Sequence, residues 1–476
     1  MDAAKKNTQP IDCRSEVSLE EKIFLVRGTS KVPIRADYAS KYSLLFRYFK
    51  NRPLLDSDQP VNLLIKKNGQ SIEVGPCRIL KEPELNGYAG CLVFLRDIYD
   101  IPSLLNDSNV VKLQSVFHDL PLILARKKKI KPEFKAYVAD LKFDLEVYKS
   151  LFDDLDAKFY HEPEDVRNAV EKAIIETEGL GFRQFFEDNL LKLKSLVDDF
   201  SLEEHQRHGY YFRKQLWNHV LCCPFTGRAT LKPRGYPGDS GLMRMLYVNA
   251  YEGNSTYEKL THKHAVEHAA SQSVRYRIHL IAKLLRSYQN DSQPVYSDNI
   301  KVLSVGCGSA FELNEIIESP QDSDKYHFTL FDQDPKALSE AAEVLNHIAN
   351  TLSISPKVDY IQGSVRTMLF SRKLRQQWGR FHFIYSMGLL DYLTSRVAKA
   401  VLTRLYQLMA PGGEMVVGNF HVSNASKYYM MYWGDWFLHH RKEEEFRQLI
   451  DSSPEDKVSV LYDSTGSQMF LHIQKS

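Results

Sequence analysis

The sequence lacks an excess of charge of either sign, and it lacks long apolar runs. Its 62 Lys and Arg residues and 60 Asp and Glu residues leave a net charge of +2. Global electrostatics therefore gives no reason to expect binding to a polyanion such as nucleic acid. Nowhere do 18 apolar residues follow one another, and the amino-terminal residues are polar, so we expect neither a membrane span nor a signal peptide.

Cysteine is also scarce. Six cysteines are spread over 476 residues without a Cys-x-x-Cys pair, which argues against a disulfide scaffold or a zinc ribbon and makes the reducing cytoplasm the expected compartment. The hydrophobic share of 43% and the charged share of 26% are those of a globular protein. At roughly 150 residues per domain, the length suggests about three folded units.

The pattern of apolar residues divides the chain into four parts. A polar tail at residues 1–19 precedes a β-rich domain at 20–105, where β-forming runs flank the hairpin signal Asn68-Gly69. Helical periodicity dominates residues 106–295. From 296 to 476 strand and helix patterns alternate and end in two adjacent β runs, which predicts a parallel sheet with helices on both faces and a final antiparallel hairpin.

The β-rich domain resembles a PilZ-type barrel in its order of elements and in its Gly-Pro and Gly-Tyr-Ala-Gly turns. In some proteins such a barrel binds a cyclic dinucleotide. The spaced arginines and the Asp/Asn-x-Ser-x-x-Gly signature of that family are not cleanly present here. We therefore expect a scaffold, or a surface that docks a partner or a second copy of the chain, rather than a ligand site.

A glycine turn follows the first strand of the last part. The buried run Val302–Val305 leads into Gly306, Cys307 and Gly308, and the glycines allow a ligand to approach the backbone closely at the carboxyl end of the strand. A dinucleotide fingerprint would need glycine where this chain has Phe311, so the pattern excludes an NAD site.

An acidic residue, Asp332, ends the second strand of the same part. An acid at this position accepts hydrogen bonds from both hydroxyls of a ribose. Capping of the next helix is the alternative role, but Asp334 beside Pro335 serves it better. By position after the second, third and fourth strands, further cofactor contacts are expected from Gln333, Ser364, Val365, Ser386 and Met387.

Residues from about Tyr210 to Ser476 resemble class I S-adenosylmethionine (SAM) methyltransferases. The glycine turn and the acid after the second strand are shared with the whole superfamily. More specific blocks look like bacterial methyltransferases of the biosynthesis of the extracellular factor 3-hydroxypalmitic acid methyl ester: Arg234-Gly235-Tyr236-Pro237-Gly238-Asp239, Tyr251-Glu252-Gly253 with Ser255, Met387-Gly388-Leu389-Leu390-Asp391-Tyr392-Leu393, Ala410-Pro411-Gly412-Gly413 and Gly418-Asn419-Phe420.

This resemblance implies a Rossmann-like sheet, a helical cap over the acceptor and SAM as the cofactor. It further implies that Ser364 and Val365 contact the adenine and that Ser386 and Met387 face the methionine moiety. Ala310 replaces the third glycine of the superfamily's turn. We expect this change to be tolerated if that position has a negative φ.

Groups able to hold or deprotonate an acceptor are concentrated just before the first strand of the catalytic part: His205, His208, Tyr210, Tyr211, Arg213, Arg234, Tyr236, Asp239, Tyr247, Tyr251, His262, His264 and Arg277. We hypothesise that the loop 234–239 closes on the methyl group, with Tyr236 and Asp239 as catalytic residues. Asn419, directly after the fifth strand, is a third catalytic candidate. A Pro-Gly-Asp turn that caps the helix 240–247 is an equally simple structural account of the loop.

Two further clusters have a structural and a functional interpretation. His264 and His268 would share a helix face, but a cysteine partner and a His-Glu-x-x-His pattern are missing, so we expect a polar helix face and no metal. The aromatic residues 428–433, with Trp436 and Phe437, either line an apolar acceptor pocket or serve only packing.

The sequence thus predicts a SAM-dependent methyltransferase that acts on a small or lipid-like carboxylic acid of the hydroxy fatty acid type. A carboxylate is ionised at pH 7, so it needs a positive or hydrogen-bonding clamp and no strong base. One alternative is N- or O-methylation of a polar metabolite by means of a general base. The other is a non-catalytic SAM-binding regulator.

Overall fold

The computed structural model describes residues 22–28, 30–39, 43–48, 60–67, 70–80, 90–94, 127–292, 299–371 and 373–476. The expected polar tail at residues 1–19 lies outside them. The chain forms two compact units: Met1–Lys131 with Phe200–Arg207, and Pro132–Asp199 with His208–Ser476.

The first unit contains a closed antiparallel barrel of six strands: β1 (Lys22–Arg27), β2 (Ser30–Ala39), β3 (Ser43–Tyr48), β4 (Val61–Lys67), β5 (Gln70–Leu80) and β6 (Gly90–Phe94). Their order is β1-β2-β3-β6-β5-β4, and pairing of β1 with β4 closes the barrel. Lys67 pairs with Gln70 across the predicted hairpin, whose two turn residues lie outside the described ranges. Alternate side chains, such as Leu25, Phe46 and Leu63, fill the interior with no exposure.

Nine α-helices precede the sheet of the second unit within the described residues: α1 (Pro132–Phe159), α2 (Glu164–Glu176), α3 (Glu178–Val197), α4 (Leu202–Gln215), α5 (Trp217–Cys222), α6 (Pro224–Leu231), α7 (Ser240–Val248), α8 (Thr256–Glu267) and α9 (Ala269–Ser292). Side chains start two of them: Asp239 accepts a hydrogen bond from the Leu242 N–H at α7, and Ser255 accepts one from the Glu258 N–H at α8. Such caps satisfy amides that have no partner inside the helix.

The second unit is built around a seven-stranded sheet: β7 (Ile300–Val305), β8 (Tyr326–Asp332), β9 (Lys357–Gln362), β10 (Phe381–Ser386), β11 (Met409–Phe420), β12 (Lys457–Tyr462) and β13 (Gln468–Gln474). The order is β12-β13-β11-β10-β7-β8-β9. Strands β7 to β11 are parallel, and β13 is antiparallel to both β11 and β12. The predicted fold class is confirmed.

Helices cover both faces of this sheet. Neighbouring residues of a strand point to opposite faces, and both faces carry apolar side chains that the helices bury. Val302 belongs to one apolar core and Leu303 to the other. The connecting helices are α10 (Leu313–Ile316), α11 (Pro320–Lys325), α12 (Pro335–Leu352), α13 (Val365–Phe370), α14 (Leu374–Trp378), α15 (Ser395–Leu408), α16 (Lys427–Trp433) and α17 (Glu443–Arg447). Within the described part of the chain, no helix combines the length and the apolarity that crossing a membrane requires.

Candidate active site

The glycine turn after β7 bends back onto the end of β8. Gly306 and Gly308 have φ of 65° and 57°, a region that favours glycine. The N–H groups of Gly306 and Cys307 donate to the Phe331 carbonyl at 2.8 and 3.2 Å. The turn therefore places its backbone at the carboxyl ends of two neighbouring strands, where doubly wound sheets bind ligands.

Ala310 corrects one expectation about this turn. Its φ is 49°, so the condition of a negative φ is not met, and its side chain is buried. A left-handed conformation costs a residue with a Cβ about 1–2 kcal/mol. The turn thus has a left-handed backbone at position 310, the conformation that glycine would adopt there. The surrounding structure holds Ala310 in this conformation.

Asp332 lies beside the turn, and each of its carboxylate oxygens already accepts one backbone hydrogen bond. Oδ2 accepts from the Gly308 N–H and Oδ1 from the Asp334 N–H, both at 2.9 Å. Burial raises the pKa of Asp332, while these N–H groups oppose the rise. Each oxygen keeps a lone pair for a further donor, so the fixed carboxylate suits a ribose diol. Asp334 caps α12, so the capping role that was the alternative for Asp332 is filled by Asp334.

A cavity of about 440 Å³ opens at this edge of the sheet. Most of the predicted cofactor-binding residues line it: Gly306, Cys307, Gly308, Asp332, Gln333, Ser364, Val365 and Met387. A Cβ built on Gly308 would have no atom within 4 Å, so the turn leaves room for a ligand against its backbone. The residues present therefore fit SAM, and the Asp332 carboxylate is available to a ribose.

Three predicted site residues are not among the described residues that line the cavity. The Ser386 hydroxyl donates to the Val305 carbonyl at 2.7 Å. The Asn419 side chain is fully buried, donates to the carbonyls of Phe420 and His439, and accepts from Arg441. Hydrogen bonds within the protein thus occupy both side chains at the strand ends, and a contact of either with a ligand stays a prediction.

Asp239 is the third of them. Its Oδ1 caps α7 through the Leu242 N–H at 2.9 Å and pairs with Nε of Arg228 at 2.7 Å, and the side chain is buried. These contacts agree with the structural account of the Pro-Gly-Asp turn. Asp239 therefore shapes the loop, and its contact with cofactor or acceptor stays a prediction.

Tyr236 of the same loop does line the cavity. Its hydroxyl lies 3.4 Å from Oδ2 of Asp334, and burial raises its pKa above the ordinary value. Arg234 ties the loop to α12 through Asp334, at 3.1 Å, and Glu340. The loop is therefore fixed beside the cofactor end of the cavity.

Gly238 lets the loop pack against the far side of the cavity. Its φ is 74°, and a Cβ there would lie 2.4 Å from Cζ2 of Trp436 and 2.6 Å from the Tyr392 hydroxyl. That hydroxyl donates to the Pro237 carbonyl at 2.8 Å and accepts from Nε1 of Trp436 at 3.0 Å. These close contacts need glycine at 238 and hold Tyr392 and Trp436 at the cavity wall.

Of the predicted aromatic cluster, Trp436 reaches the cavity, whereas residues 428–433 form the buried helix α16 and are absent from the lining. Phe420 and Leu438 complete the apolar wall on that side. Packing therefore accounts for most of the cluster.

Charged side chains meet inside the cavity where α9, α10 and the segment after β10 come together. Arg277, Glu312 and Asp391 all line it. Burial alone would lower the pKa of Arg277, yet the nearby Tyr247 hydroxyl and Glu312 carboxylate raise it above its ordinary value. Glu312 accepts from the Tyr385 hydroxyl at 2.8 Å, and burial raises its pKa.

Asp391 is the most perturbed carboxyl group of the cavity. It is 2% exposed, and its Oδ1 accepts the Phe420 N–H at 2.7 Å. Burial raises its pKa to about 7, although this N–H group and the positive charges of Arg277 and Arg441 oppose the rise. In the sequence, Asp391 stands out only as part of a family block, since nothing local distinguishes a buried acid from an exposed one.

Comparison with known proteins agrees with this architecture. Residues 302–413 match a family described as a methyltransferase domain. Among curated proteins, none matches the sequence significantly.

Solved structures similar to this chain include a possible exported protein of Bordetella parapertussis, with 14% identity over 63% of this chain and 96% of that one, at a TM-score of 0.37. A magnesium protoporphyrin IX methyltransferase of Synechocystis with bound SAH is 12% identical over 44% of this chain and 87% of that one, at a TM-score of 0.31. An N-methyltransferase of Bradyrhizobium japonicum with SAH is 14% identical over 42% of this chain and 87% of that one, at a TM-score of 0.29. At these values the neighbours say nothing about the acceptor.

The family match covers the glycine turn, Asp332 and the strands that carry them. The chain is an enzyme with a methyltransferase domain at residues 302–413, and the groups that line its cavity fit SAM.

Proposed function

We propose that the enzyme methylates the carboxylate of a small or lipid-like acid of the hydroxy fatty acid type. One observation carries the proposal. The Arg277 guanidinium lines the cavity and contacts only neutral acceptors, the Met387 carbonyl, the Met243 sulfur and the Tyr247 hydroxyl, at 3.3 to 3.4 Å. Among the described residues, no carboxylate forms a salt bridge with it, so an acidic acceptor has a partner here.

The chemistry of a carboxylate acceptor asks little of the protein. When bound, SAM supplies an electrophilic methyl group, which a carboxylate oxygen takes while the carbon–sulfur electron pair stays on sulfur and no proton moves. Arg277 orients the acceptor by charge-assisted hydrogen bonds, and the loop that carries Tyr236 keeps water from the site. We assign the cofactor contacts to the turn 306–308, to Asp332 and Gln333, to Ser364 and Val365, and to Met387.

The apolar part of the lining favours an acid with a hydrocarbon body. Ile278 and Ile281 follow Arg277 on α9, and Met243 lies on α7. Phe420, at the end of β11, and Trp436, after α16, line the same cavity. Apolar walls around one charged group are typical of pockets that bind amphipathic small molecules.

A second function is favoured by Asp391. With a pKa of about 7, this buried carboxylate is in the range of an effective general base. It would take the proton of an alcohol or amine acceptor as the methyl group arrives. The two functions differ in the product, since carboxyl methylation gives an ester and the general-base reaction gives an ether or a methylamine.

The test uses methyl-labelled SAM with a series of 3-hydroxy fatty acids of increasing chain length and with alcohol and amine analogues of the same lengths. Asp332→Ala serves as the blank, because it removes the expected ribose contact. We expect base-labile label in the organic phase from the acids alone. Base-stable label from the alcohols or amines would overturn the proposal in favour of the general base.

We also propose the cytoplasm as the compartment, which agrees with the free thiols of Cys77, Cys222, Cys223 and Cys307. For the barrel we propose scaffolding or docking of a partner or a second copy. Its interior is filled by side chains such as Leu25 and Leu63, which supports a surface role over an internal ligand. Sedimentation of the full chain across a concentration series tests self-association.

A further inference from the structure

Three side chains with metal-ligating atoms converge away from the sheet. Glu187 lies on α3, His264 on α8, and His268 directly follows α8. Nδ1 of His264 is 3.6 Å from Oε1 of Glu187, and Nε2 of His268 is 4.0 Å from Oε2. One ligand atom from each side chain lies within 4.8 Å of the others.

These separations do not fit direct hydrogen bonds but fit atoms that share one ion. An imidazole that donated to the carboxylate would approach to about 2.7–2.9 Å. Zinc bonds of about 2.0–2.2 Å at tetrahedral angles hold neighbouring ligand atoms roughly 3.4 Å apart. The cluster is wider than that, with ligand atoms up to 4.8 Å apart, so rotations of the three side chains would have to close it around an ion.

The second ring nitrogen of His268 has the partner that a ligating histidine needs. Nδ1 of His268 contacts the Ser426 hydroxyl, and that hydroxyl accepts the Ala270 N–H at 2.8 Å. Such an outer hydrogen bond fixes the orientation of the ring, and it leaves Nε2 turned towards Glu187. The corresponding nitrogen of His264, Nε2, is buried and has no hydrogen-bond partner among the described residues, so His264 lacks an outer contact of this kind.

The surroundings keep both imidazoles in the neutral, ligating form. The His264 ring packs 4.5 Å from the Phe186 ring, and the His268 ring stacks on Tyr429 at 5.3 Å. Burial lowers the pKa of His268 to about 4 and that of His264 well below its usual value. Because the Glu187 side chain is 46% exposed, a water molecule can reach the cluster as a further ligand.

We propose that Glu187, His264 and His268 bind one zinc ion, with water as the fourth ligand. Two imidazoles and a carboxylate are a donor set that zinc accepts, and no thiolate is needed. The ion would join α3 to the start of α9, the helix that supplies Arg277 to the cavity. The proposal does not depend on the identity of the acceptor.

The full-length protein, stripped with a chelator and dialysed, is titrated with zinc by calorimetry and with cobalt(II) by visible absorption. We expect one ion per chain, the absorption bands of four-coordinate cobalt and a higher Tm with zinc. Glu187→Gln and His268→Asn should each weaken zinc binding at least about tenfold. The matched control is Asp188→Asn, which removes an exposed charge from the next position of α3 and should leave the affinity unchanged.

Absence of saturable zinc binding to the wild-type chain would overturn the site. An affinity of Glu187→Gln equal to that of the wild type would do the same, because it would mean that zinc binds elsewhere. If His268→Asn fails to fold, as judged by circular dichroism, the half-exposed Glu187→Gln still decides the question.

Discussion

The two walls of the cavity are built in different ways. On the strand-end wall, two glycines with positive φ and the carboxylate of Asp332, which backbone N–H groups hold in place, line the cavity. On the helical wall, the polar groups are side chains from separate elements, Arg277, Glu312 and Asp391. Because all SAM-dependent methyltransferases bind the same cofactor, the fixed backbone shape of a turn can recognise it. In the proposed function, side chains determine which acceptor binds, and their charges must be balanced against each other.

The largest effect is expected from breaking the strand-end wall. Asp332→Asn keeps the volume of the side chain but weakens two charge-assisted hydrogen bonds to the ribose, each worth about 1.5–3 kcal/mol. SAM affinity, measured by calorimetry, should fall about 100-fold or more. The exposed Asp359→Asn at the neighbouring strand should bind SAM as the wild type does. Equal affinities for both variants would disprove the ribose assignment.

The next effect comes from the helical wall. Arg277→Met keeps an unbranched apolar stem but removes the charge that we propose holds the acceptor. Since hydrogen bonds to charged groups contribute about 1.5–3 kcal/mol each, kcat/KM for an acidic acceptor should fall about 100-fold while SAM affinity stays close to that of the wild type.

Lys283→Met is the matched control, because Lys283 is an exposed cation on the same helix. It should not change kcat/KM. A parallel loss of SAM affinity in Arg277→Met would instead place Arg277 on the cofactor wall, and the difference between the two walls would disappear.

A smaller effect is expected from pH, and its sign separates the two proposed functions. Below about pH 7, Asp391 is protonated and leaves Arg277 to the acceptor. Above about pH 7, the ionised Asp391 carboxylate competes with the acceptor for the Arg277 guanidinium. The positive charge of nearby Arg441 also attracts the Asp391 carboxylate. For a carboxylate acceptor, KM should therefore rise as pH rises through 7, by about fivefold, the equivalent of ~1 kcal/mol.

A general base gives the opposite sign, because kcat/KM would rise as Asp391 loses its proton. Asp391→Asn sharpens the comparison. It should flatten the pH dependence of KM while activity persists if Arg277 is a clamp, and it should abolish turnover if Asp391 is the base.

The two walls also differ in how far the sequence could predict them. The turn 306–308 and Asp332 are local features of a strand followed by a turn, so their pattern is visible in the sequence. Arg277, Glu312 and Asp391 lie on three elements, and only the packed structure brings them together. Their burial, which shifts their pKa values, is likewise a tertiary property.

Residues whose type fits several roles were the hardest to predict. Asp239 and Asn419 stand at the expected rim, yet a helix cap and a set of carbonyls use their hydrogen-bonding groups. His264 and His268 show the reverse. Their spacing is visible in the sequence, but the carboxylate of Glu187 comes from a different helix, which no local pattern indicates.

The smallest effect is expected within the turn itself, at two positions with similar backbone shape. Ala310→Gly relieves a left-handed alanine, about 1–2 kcal/mol. It also gives up a buried methyl group and adds freedom to the unfolded chain, together about as much. The free energy of unfolding, from urea titration, should therefore change by less than about 1 kcal/mol, and SAM affinity should stay the same.

Gly308→Ala is the contrast, because the added methyl group meets no protein atom within 4 Å but stands where the cofactor approaches the backbone. It should lose about 1 kcal/mol of stability through its positive φ and weaken SAM binding at least about tenfold. If Ala310→Gly changed SAM affinity as much as Gly308→Ala, both positions would act through the shape of the turn. If only Gly308→Ala weakens SAM binding, contact with the ligand is what distinguishes the two positions. Glycine is then required at 308 for function, whereas neither function nor folding requires it at 310.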